Sequence, residues 1–555
     1  MAVTDFDCEH LVADVVSGIV RPARVVVRGG RIAAIEAPTG AIRPGVLVPG
    51  FVDAHVHVES SMLPPWEFAR VAMRHGTVAS VSDPHEIANV LGEPGVRFML
   101  DDIAGSPFTC WFGCPSCVPA TAFETAGARL DAAACARILE DPCIRYLGEM
   151  MDWPGAISGD PQVLAKIAAA HALGKPVDGH APGLRGSDAE AYFARGIATD
   201  HECVMLDEAI GKAVLGVRIL IREGSAARNF EALWPMLRTH PDQCMFCTDD
   251  SHPDELLAGH VDRLLARAVG KGIAPMVALR AATLSPIRHY ALPCGLLQVG
   301  DRADMVLVED LQSFRPRTTW IAGMPVAKDG RSLVPPRASR TPNAFIARTC
   351  VPEDFVVRAP AGSPDGARVT VHAIVATDGQ IITGREDVPA IARRGAVEPD
   401  PSQDLLAIAV VNRYAPAPVA VAMVRGFGLR AGAIASSVAH DCHNVVAVGA
   451  SPAALAEAVN AVFAARGGLS VVGGDGAPAE VLPLPIAGLM SDRPAEEVAA
   501  AYGRLTARAQ SLGSPLRAPY MTLGFMSLLV IPALKLGDRG LFDAERFAFV
   551  PAVSA

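Results

Sequence analysis

The stretch Pro49-Gly50-Phe51-Val52-Asp53-Ala54-His55-Val56-His57-Val58-Glu59-Ser60-Ser61-Met62 carries the strongest indication of the fold. It begins as an apolar run typical of a buried strand and reaches two histidines separated by one residue. Because positions two apart on a strand face the same side, the imidazoles of His55 and His57 can reach one metal ion. Two ordinary buried histidines give the same pattern, so the pair needs support from the rest of the chain.

Seven further apolar strands follow the first, and helical stretches separate many of them. The predicted strands are 51–57, 77–81, 108–112, 144–148, 176–180, 197–201, 217–221 and 244–248, and the clearest predicted helices are 64–75, 160–173 and 253–269. Eight strand–helix units in roughly 240 residues match the size of a TIM barrel. We therefore predict an α/β fold with a TIM-like (β/α)8 catalytic barrel over residues 49–294.

Short β segments flank this predicted barrel on both sides. Residues 25–35 resemble a hairpin that turns at Gly29-Gly30, and 304–308 and 318–326 are two more predicted strands. We expect these distant pieces to pair into a small composite β-sandwich domain of residues 1–48 with 295–335. Beyond the Pro-rich linker at Pro335 and Pro336, a predicted strand at 405–411 and helix at 452–465 indicate a C-terminal α+β domain over 341–555.

Composition limits the classes of partner. The 555 residues include 59 acidic and 49 basic ones, a net charge of -10, which argues against binding to a nucleic-acid backbone. The N-terminus lacks a signal-peptide pattern, and prolines interrupt the uncharged stretch 518–534, which favours a buried core segment over a membrane span. The twelve cysteines show no disulfide-framework spacing. We predict a cytoplasmic protein that binds neither nucleic acid nor membrane.

Four more residues of ligand type lie at the ends of later predicted strands, where barrel active sites are built. They are Glu149, His180, His201 and Asp249. Imidazoles combined with carboxylates favour Zn, Mn or Fe. Glu149 could bridge two ions, with one histidine pair on each. Such a site would hold a hydroxide ready for attack, and Asp249 would serve both as a ligand and as the general base.

Other polar residues lie near the predicted rim, and more than one role is open to them. His85 and Glu86 are candidates for the proton donor or for an additional ligand, whereas Asp83 equally suits an ordinary helix start. Asp250 and Ser251 are candidates for orienting the substrate, on position alone.

Two further clusters carry ligand-type residues. The segment His440-Asp441-Cys442-His443 could be a second metal site, a loop that covers the substrate, or a loop held by local hydrogen bonds. His57-Val58-Glu59 with Cys114-Pro115-Ser116-Cys117 superficially resembles the zinc cytidine-type deaminase motif. However, Gly113 replaces the required proline, so we interpret these cysteines as packing residues.

Several longer stretches together resemble bacterial adenine deaminases of the amidohydrolase superfamily. They are PGFVDAHVHVESSM (49–62), DPHEIANVLG (83–92), PSCVPAT (115–121), GEMM (148–151), VDGHAPGL (177–184), TDHE (199–202), IREGSAA (221–227), CTDDSHPDEL (247–256), HDCHN (440–444) and VIPALKL (530–536). The resemblance covers nearly the whole chain.

The resemblance implies a urease-like composite β domain, a metal-binding barrel and a family-specific C-terminal domain. It also implies adenine as the small-molecule substrate, a role in purine salvage, and a homo-oligomer. Mn2+ or Fe2+ is the implied working metal, with Zn2+ as the alternative. The superfamily's metal positions fall on His55, His57, Glu149, His180, His201 and Asp249, the same six that the strand-end argument selects. Glu149 stands where many superfamily relatives have a carboxylated lysine.

The predicted reaction is hydrolytic deamination of adenine to hypoxanthine and ammonia. A metal-held hydroxide attacks C6 while Asp249 takes its proton, and Glu86 or His85 protonates a ring nitrogen. One alternative is another cyclic amidohydrolase, acting on a hydantoin or dihydropyrimidine, which would yield a ring-opened acid instead of ammonia. The other is a metal-binding pseudoenzyme, which would turn over neither purines nor cyclic amides.

Overall fold

The computed structural model describes residues 5–225, 227–474 and 476–555. Four residues of the predicted domain 1–48 therefore lie outside the described part of the chain. One residue of the stretch 221–227 also lies outside it. No helix in the described part is both long enough and apolar enough to cross a membrane.

The barrel strands form two parallel sheets of five and three strands. They are Phe51–Val56, Thr77–Ser82, Thr109–Cys114, Ile144–Met150 and Val177–Gly179, followed by Thr199–Asp200, Arg218–Arg222 and Cys244–Cys247. Parallel bridges between Val177 and Ile197 and between Val56 and Asp249 join the two sheets into a ring. The eight strands thus form a TIM-like barrel, and each predicted strand corresponds to an observed one.

Helices surround the barrel. They are Pro65–Ala72, His85–Leu91, Glu93–Ile103, Ala132–Leu139, Trp153–Ser158, Pro161–Ala172, Gly186–Phe193, Leu206–Val214, Phe230–Leu233, Met236–Thr239, Pro253–Ala258, Val261–Gly270, Pro275–Ala282 and Leu284–His289. Local sequence explains where they begin: the Asp160 side chain accepts hydrogen bonds from the backbone N–H groups of Gln162 and Val163, with Pro161 in the first turn. The prediction of a single helix over 253–269 was wrong, because this stretch forms two helices separated at Gly259 and His260.

The flanking β segments pair into one eight-stranded sheet. In spatial order its strands are Arg331–Ser332, Met324–Lys328, Pro316–Ile321, Met305–Val308, Val46–Pro49, Phe6–Asp14, Ile19–Arg28 and Arg31–Glu36. Residues 318–326 were predicted as one strand, which was wrong: a turn with positive φ at Ala322 and Gly323 divides them into a hairpin. The two-layer form and the domain boundaries given above remain predictions.

The region after residue 341 is built mainly on a nine-stranded sheet. Its strands are Gly384–Ile391, Arg368–Val375, Ala420–Arg425, Leu406–Val411, Val445–Gly449, Ala433–Ser436, Gly468–Val472, Glu480–Pro483 and Val553–Ser554. Smaller sheets join Val357–Arg358 to Ala396–Val397, and Leu534–Gly537 to Gly540–Asp543 and Ala548–Phe549. The helices are Pro452–Ala465, Ala495–Ser511 and Pro519–Gly524. The uncharged stretch 518–534 is largely buried, as predicted.

Candidate metal centre and active site

The structure brings the six residues predicted as metal ligands together at the carboxyl ends of the barrel strands. All six side chains are buried. His55 and Glu149 lie within their strands, whereas the other four follow the last residue of a strand by one or two positions. They form several groups of three whose ligand atoms lie within 4.8 Å of one another, among them His55, His57 and Asp249, and His55, Glu149 and His201.

Glu149 lies between two sets of histidines. Its Oε1 atom is 3.3 Å from Nε2 of His57, while its Oε2 atom is 2.5 Å from Nδ1 of His180 and 3.1 Å from Nε2 of His201. Burial alone would raise the Glu149 pKa, but His180 and His201 outweigh burial and hold the pKa well below its ordinary value. An ionised carboxylate with its oxygens turned to different histidines suits a bridging ligand.

The first histidine pair meets Asp249 on one side of Glu149. The Nε2 atoms of His55 and His57 are 3.1 Å apart, and Oδ1 of Asp249 is 3.5 Å and 3.2 Å from them. His57 donates its Nδ1 hydrogen to the backbone carbonyl of Asp83 at 3.0 Å, which leaves the Nε2 lone pair free to bind a cation. The donor set and this tautomer therefore fit a divalent metal of the Zn, Mn and Fe group.

Asp249 adopts an uncommon backbone conformation, with φ of 56°. Hydrogen bonds across the closed barrel hold it there, since its N–H donates to the His55 carbonyl at 2.9 Å and its carbonyl accepts from His57 N–H at 3.2 Å. Its Oδ2 atom accepts a hydrogen bond from Arg222. Burial would raise the Asp249 pKa, but the Arg222 guanidinium and the two histidines hold it well below its ordinary value.

Arg222 and Glu202 are site residues to which the sequence analysis assigned no role. Arg222 donates to both carboxylate oxygens of Glu202, at 2.5 Å and 2.9 Å, and both residues line the cavity above the ligand cluster. Glu202 also lies 3.4 Å from Nε2 of His201. The sequence did contain a signal for this pair, since Arg222 stands at the end of a predicted barrel strand. A buried cation at that edge needs carboxylate partners, which predicts an acidic residue close to it.

The loop after the second strand reaches the same cavity. Asp83 does not cap the helix His85–Leu91; its carboxylate instead accepts a hydrogen bond from the Glu149 N–H at 2.9 Å. His85 Nδ1 lies 3.5 Å from Oε1 of Glu149, and Nε2 lies 3.5 Å from Glu86. Burial lowers the His85 pKa, but Asp83 and Glu86 raise it well above its ordinary value.

The two residues predicted to orient the substrate lie in different places. Asp250 lines the cavity and accepts a hydrogen bond from Ser60 Oγ at 2.5 Å. Ser251 lines a neighbouring groove beside His260. Cys114 and Cys117 are buried, in keeping with a packing role.

The region after residue 341 forms the other wall of the cavity. Its contributing residues are Ile381, His440, Asp441, Phe525 and Leu528. No spacing in the sequence relates these positions to the barrel. Only the segment 440–443, with its several residues of ligand type, was a candidate for the site in the sequence analysis.

Comparisons with known proteins show which family the chain belongs to. The family model described as "Amidohydrolase family" matches residues 46–326, and the model described as "Adenine deaminase C-terminal domain" matches residues 380–548. An adenine deaminase of Salinibacter ruber is 54% identical over 548 residues, which cover 98% of this chain and 98% of that protein. Those of Methanosarcina mazei (46% identical; 97% and 98% covered) and a Sulfurovum species (49%; 95% and 96%) are also similar.

Solved structures are more distant. A β-aspartyl dipeptidase of Fervidobacterium islandicum AW-1 shares 14% identity at a TM-score of 0.46, covering 60% of this chain and 99% of that one.

Proposed function

The chain belongs to the adenine deaminase family of the amidohydrolase superfamily, and we propose from that membership how its own residues carry out the reaction. The enzyme hydrolyses adenine to hypoxanthine and ammonia. The assignment of roles rests on the position of Glu149, whose two carboxylate oxygens face separate histidine groups. Asp249 lies at the same edge of the barrel.

The metal would be held by the residues that already converge. His55, His57 and Asp249 would hold one ion, and His180 and His201 the other, with Glu149 between them. We propose Mn2+ or Fe2+, with Zn2+ as the alternative. When bound, a divalent metal supplies a Lewis acid that lowers the pKa of a coordinated water towards neutrality.

Asp249 acts as the general base in this proposal. It accepts one proton from the water whose oxygen attacks C6 of adenine, and it later gives that proton to the departing amine. Arg222 pairs with Oδ2 and fixes the orientation of the carboxylate, so that Oδ1 remains on the side of His55 and His57.

The loop that carries His85 and Glu86 lies at the part of the cavity where we propose that a ring nitrogen is protonated. Both residues line the same cavity as Asp249 and Arg222, and we propose that the purine binds in this cavity. Asp250 also lines the cavity and is placed to accept a hydrogen bond from the base. Ser251 belongs to the neighbouring groove, so we propose no substrate contact for it.

The apolar side chains from the C-terminal region suit a flat base. Ile381, Phe525 and Leu528 belong to one buried hydrophobic cluster, and all three line the cavity. A planar purine packs well against such a surface, since aromatic rings and aliphatic groups exclude water from both faces. We also propose a homo-oligomer divided into the three domains predicted above, with the C-terminal one closing the site.

Adenine turnover, followed by absorbance, tests the proposal. Protein loaded with Mn2+ is compared with protein stripped by a chelator, and metal content is measured in both. We expect conversion to hypoxanthine that is lost on stripping and returns with metal. Turnover that persists in fully stripped protein would refute the metal roles, and loaded protein that leaves adenine unchanged would refute the substrate.

A further inference from the structure

Imidazoles from the C-terminal region hold both oxygens of the Glu86 carboxylate. His440 Nδ1 lies 2.5 Å from Oε1, and His443 Nε2 contacts Oε2. His440 is 354 residues further along the chain than Glu86, and both histidines lie in the loop between the strands Ala433–Ser436 and Val445–Gly449. Glu86, His440 and His443 are each no more than 2% exposed. The contact therefore joins the barrel to the C-terminal region at the cavity itself.

The proton positions on His443 indicate that this residue contacts Glu86 through a protonated nitrogen and does not serve as a metal ligand. The backbone N–H of Ala439 donates to Nδ1 of His443 at 3.1 Å, so that nitrogen carries no proton. Burial lowers the His443 pKa, which favours the neutral ring. A neutral imidazole then carries its proton on Nε2, the nitrogen in contact with Oε2 of Glu86. A protonated nitrogen cannot bind a metal ion.

The Glu86 carboxylate consequently has an imidazole nitrogen beside each oxygen. Burial would raise its pKa, but His440, His443 and His85 outweigh burial and hold the pKa well below its ordinary value. An ionised carboxylate whose oxygens are both engaged has no proton to give to a substrate. Its arrangement matches that of carboxylates that orient a catalytic imidazole and stabilise its cation.

His440 is the member of the group that faces the reaction. Its ring lines the cavity and stacks on Phe525, with ring centres 4.4 Å apart and planes 10° apart. Because Nδ1 is directed to Glu86, Nε2 is the nitrogen left for the substrate. Burial lowers the His440 pKa, but Glu86 and Asp250 more than compensate and raise it to about 9, so the ring carries a proton at neutral pH.

We propose that His440 is the catalytic acid, that Glu86 orients it, and that His443 is a positioning residue that holds Glu86. This inference rests on the proposed function. As the C6–O bond forms, the C6–N1 π electrons move to N1, which takes the Nε2 proton of His440. As the C6–N6 bond breaks, the amine takes the proton held by Asp249 and leaves as ammonia, and the O6 hydroxyl proton returns to Nε2. Both side chains end as they began.

The test replaces His440 with a residue that keeps its contact but cannot carry the proton. In His440→Asn, the amide nitrogen can still donate to Glu86, whereas no atom replaces Nε2. We expect kcat to fall by about 100-fold or more, the usual contribution of a general acid, with KM and metal content close to those of the parent protein. His372→Asn is the matched control, since His372 pairs with Asp387 at 2.6 Å in the same region but does not line the cavity.

Two results would overturn the inference. One is a kcat for His440→Asn within threefold of the parent value, and the other is loss of metal from that variant. If the parent protein itself left adenine unchanged, the proposed function would fail instead, so the two failures are distinguishable.

A second measurement does not depend on the folding of that one variant. Because Glu86 and His440 act as one unit here, Glu86→Gln combined with His440→Gln should lose no more kcat than the more damaged single variant. Losses that multiply would show separate roles and contradict the proposal. For His443, replacement by Gln, which retains a donor near Nε2, should keep at least tenfold more kcat than replacement by Leu, at equal metal content.

Discussion

Replacing Lys212 with Met should destabilise the barrel through two carboxylates that lose their partner. Lys212 is 1% exposed, and its Nζ atom donates to Asp200 at 2.5 Å, to Glu208 at 2.7 Å and to the Ala181 carbonyl at 2.6 Å. Met fills a similar volume but leaves both acids buried without a cation. Breaking a buried ion pair in this way costs about 3–5 kcal/mol. For a barrel of this size, the melting temperature should fall by roughly 6–20 °C.

The same substitution should weaken metal binding, because Lys212 joins the segments that carry two proposed ligands. Ala181 follows His180, and Asp200 precedes His201. Loss of a partner that orients metal ligands typically lowers metal affinity by about 10- to 100-fold. Calorimetry and urea unfolding of metal-saturated protein give the stability, and competition with a chelator gives the affinity.

Lys271→Met is the control for this experiment. Its side chain is 38% exposed and pairs with Glu231 at 2.6 Å on the surface, so its loss should cost less than about 1 kcal/mol. Adding Asp200→Asn and Glu208→Gln to Lys212→Met should recover part of the lost stability, because the orphaned charges are then removed. A Lys212→Met protein that unfolds within 1 kcal/mol of the parent would refute this reasoning.

Three further predictions concern the site and its surroundings. Glu149→Gln keeps the shape of the side chain but not its charge, so elemental analysis should show less bound metal per chain; unchanged content would contradict the bridging role. Gly148→Ala would place a Cβ atom 2.2 Å from a carboxylate oxygen of Asp83, which accepts from the Glu149 N–H, so kcat should fall at least tenfold while far-ultraviolet circular dichroism is unchanged. Lys535 donates to two backbone carbonyls, and burial lowers its pKa to about 7. Between pH 7 and about 10, Lys535 is therefore protonated in the unfolded chain but largely neutral in the folded one. The free energy of unfolding of the parent protein, compared with that of Lys535→Met, should rise with pH across that window. Urea unfolding of both proteins from pH 6.5 to 9 measures the difference, and a flat difference would contradict the lowered pKa.

Local sequence was enough to predict the barrel and to select the residues that converge at its edge. Most barrel strands are short apolar runs, and side-chain direction along a strand depends only on the residue's place in it. The carboxyl ends of parallel barrel strands meet at one face, so His55 and Asp249 could be expected to lie together although 194 positions separate them in the chain. The errors arose where the apolar pattern continued across a break, as at Ala322-Gly323 inside 318–326.

Tertiary structure alone decided which groups surround that edge. Arg222 could have been a solvated strand end, and only the closed barrel brings it into contact with Asp249. The contact of Glu86 with His440 joins the barrel to the region after residue 341, and no periodicity in either part of the chain specifies how they meet. Contacts of such long range are determined by packing of whole elements, and the hydrogen-bonding patterns of single residues do not encode them.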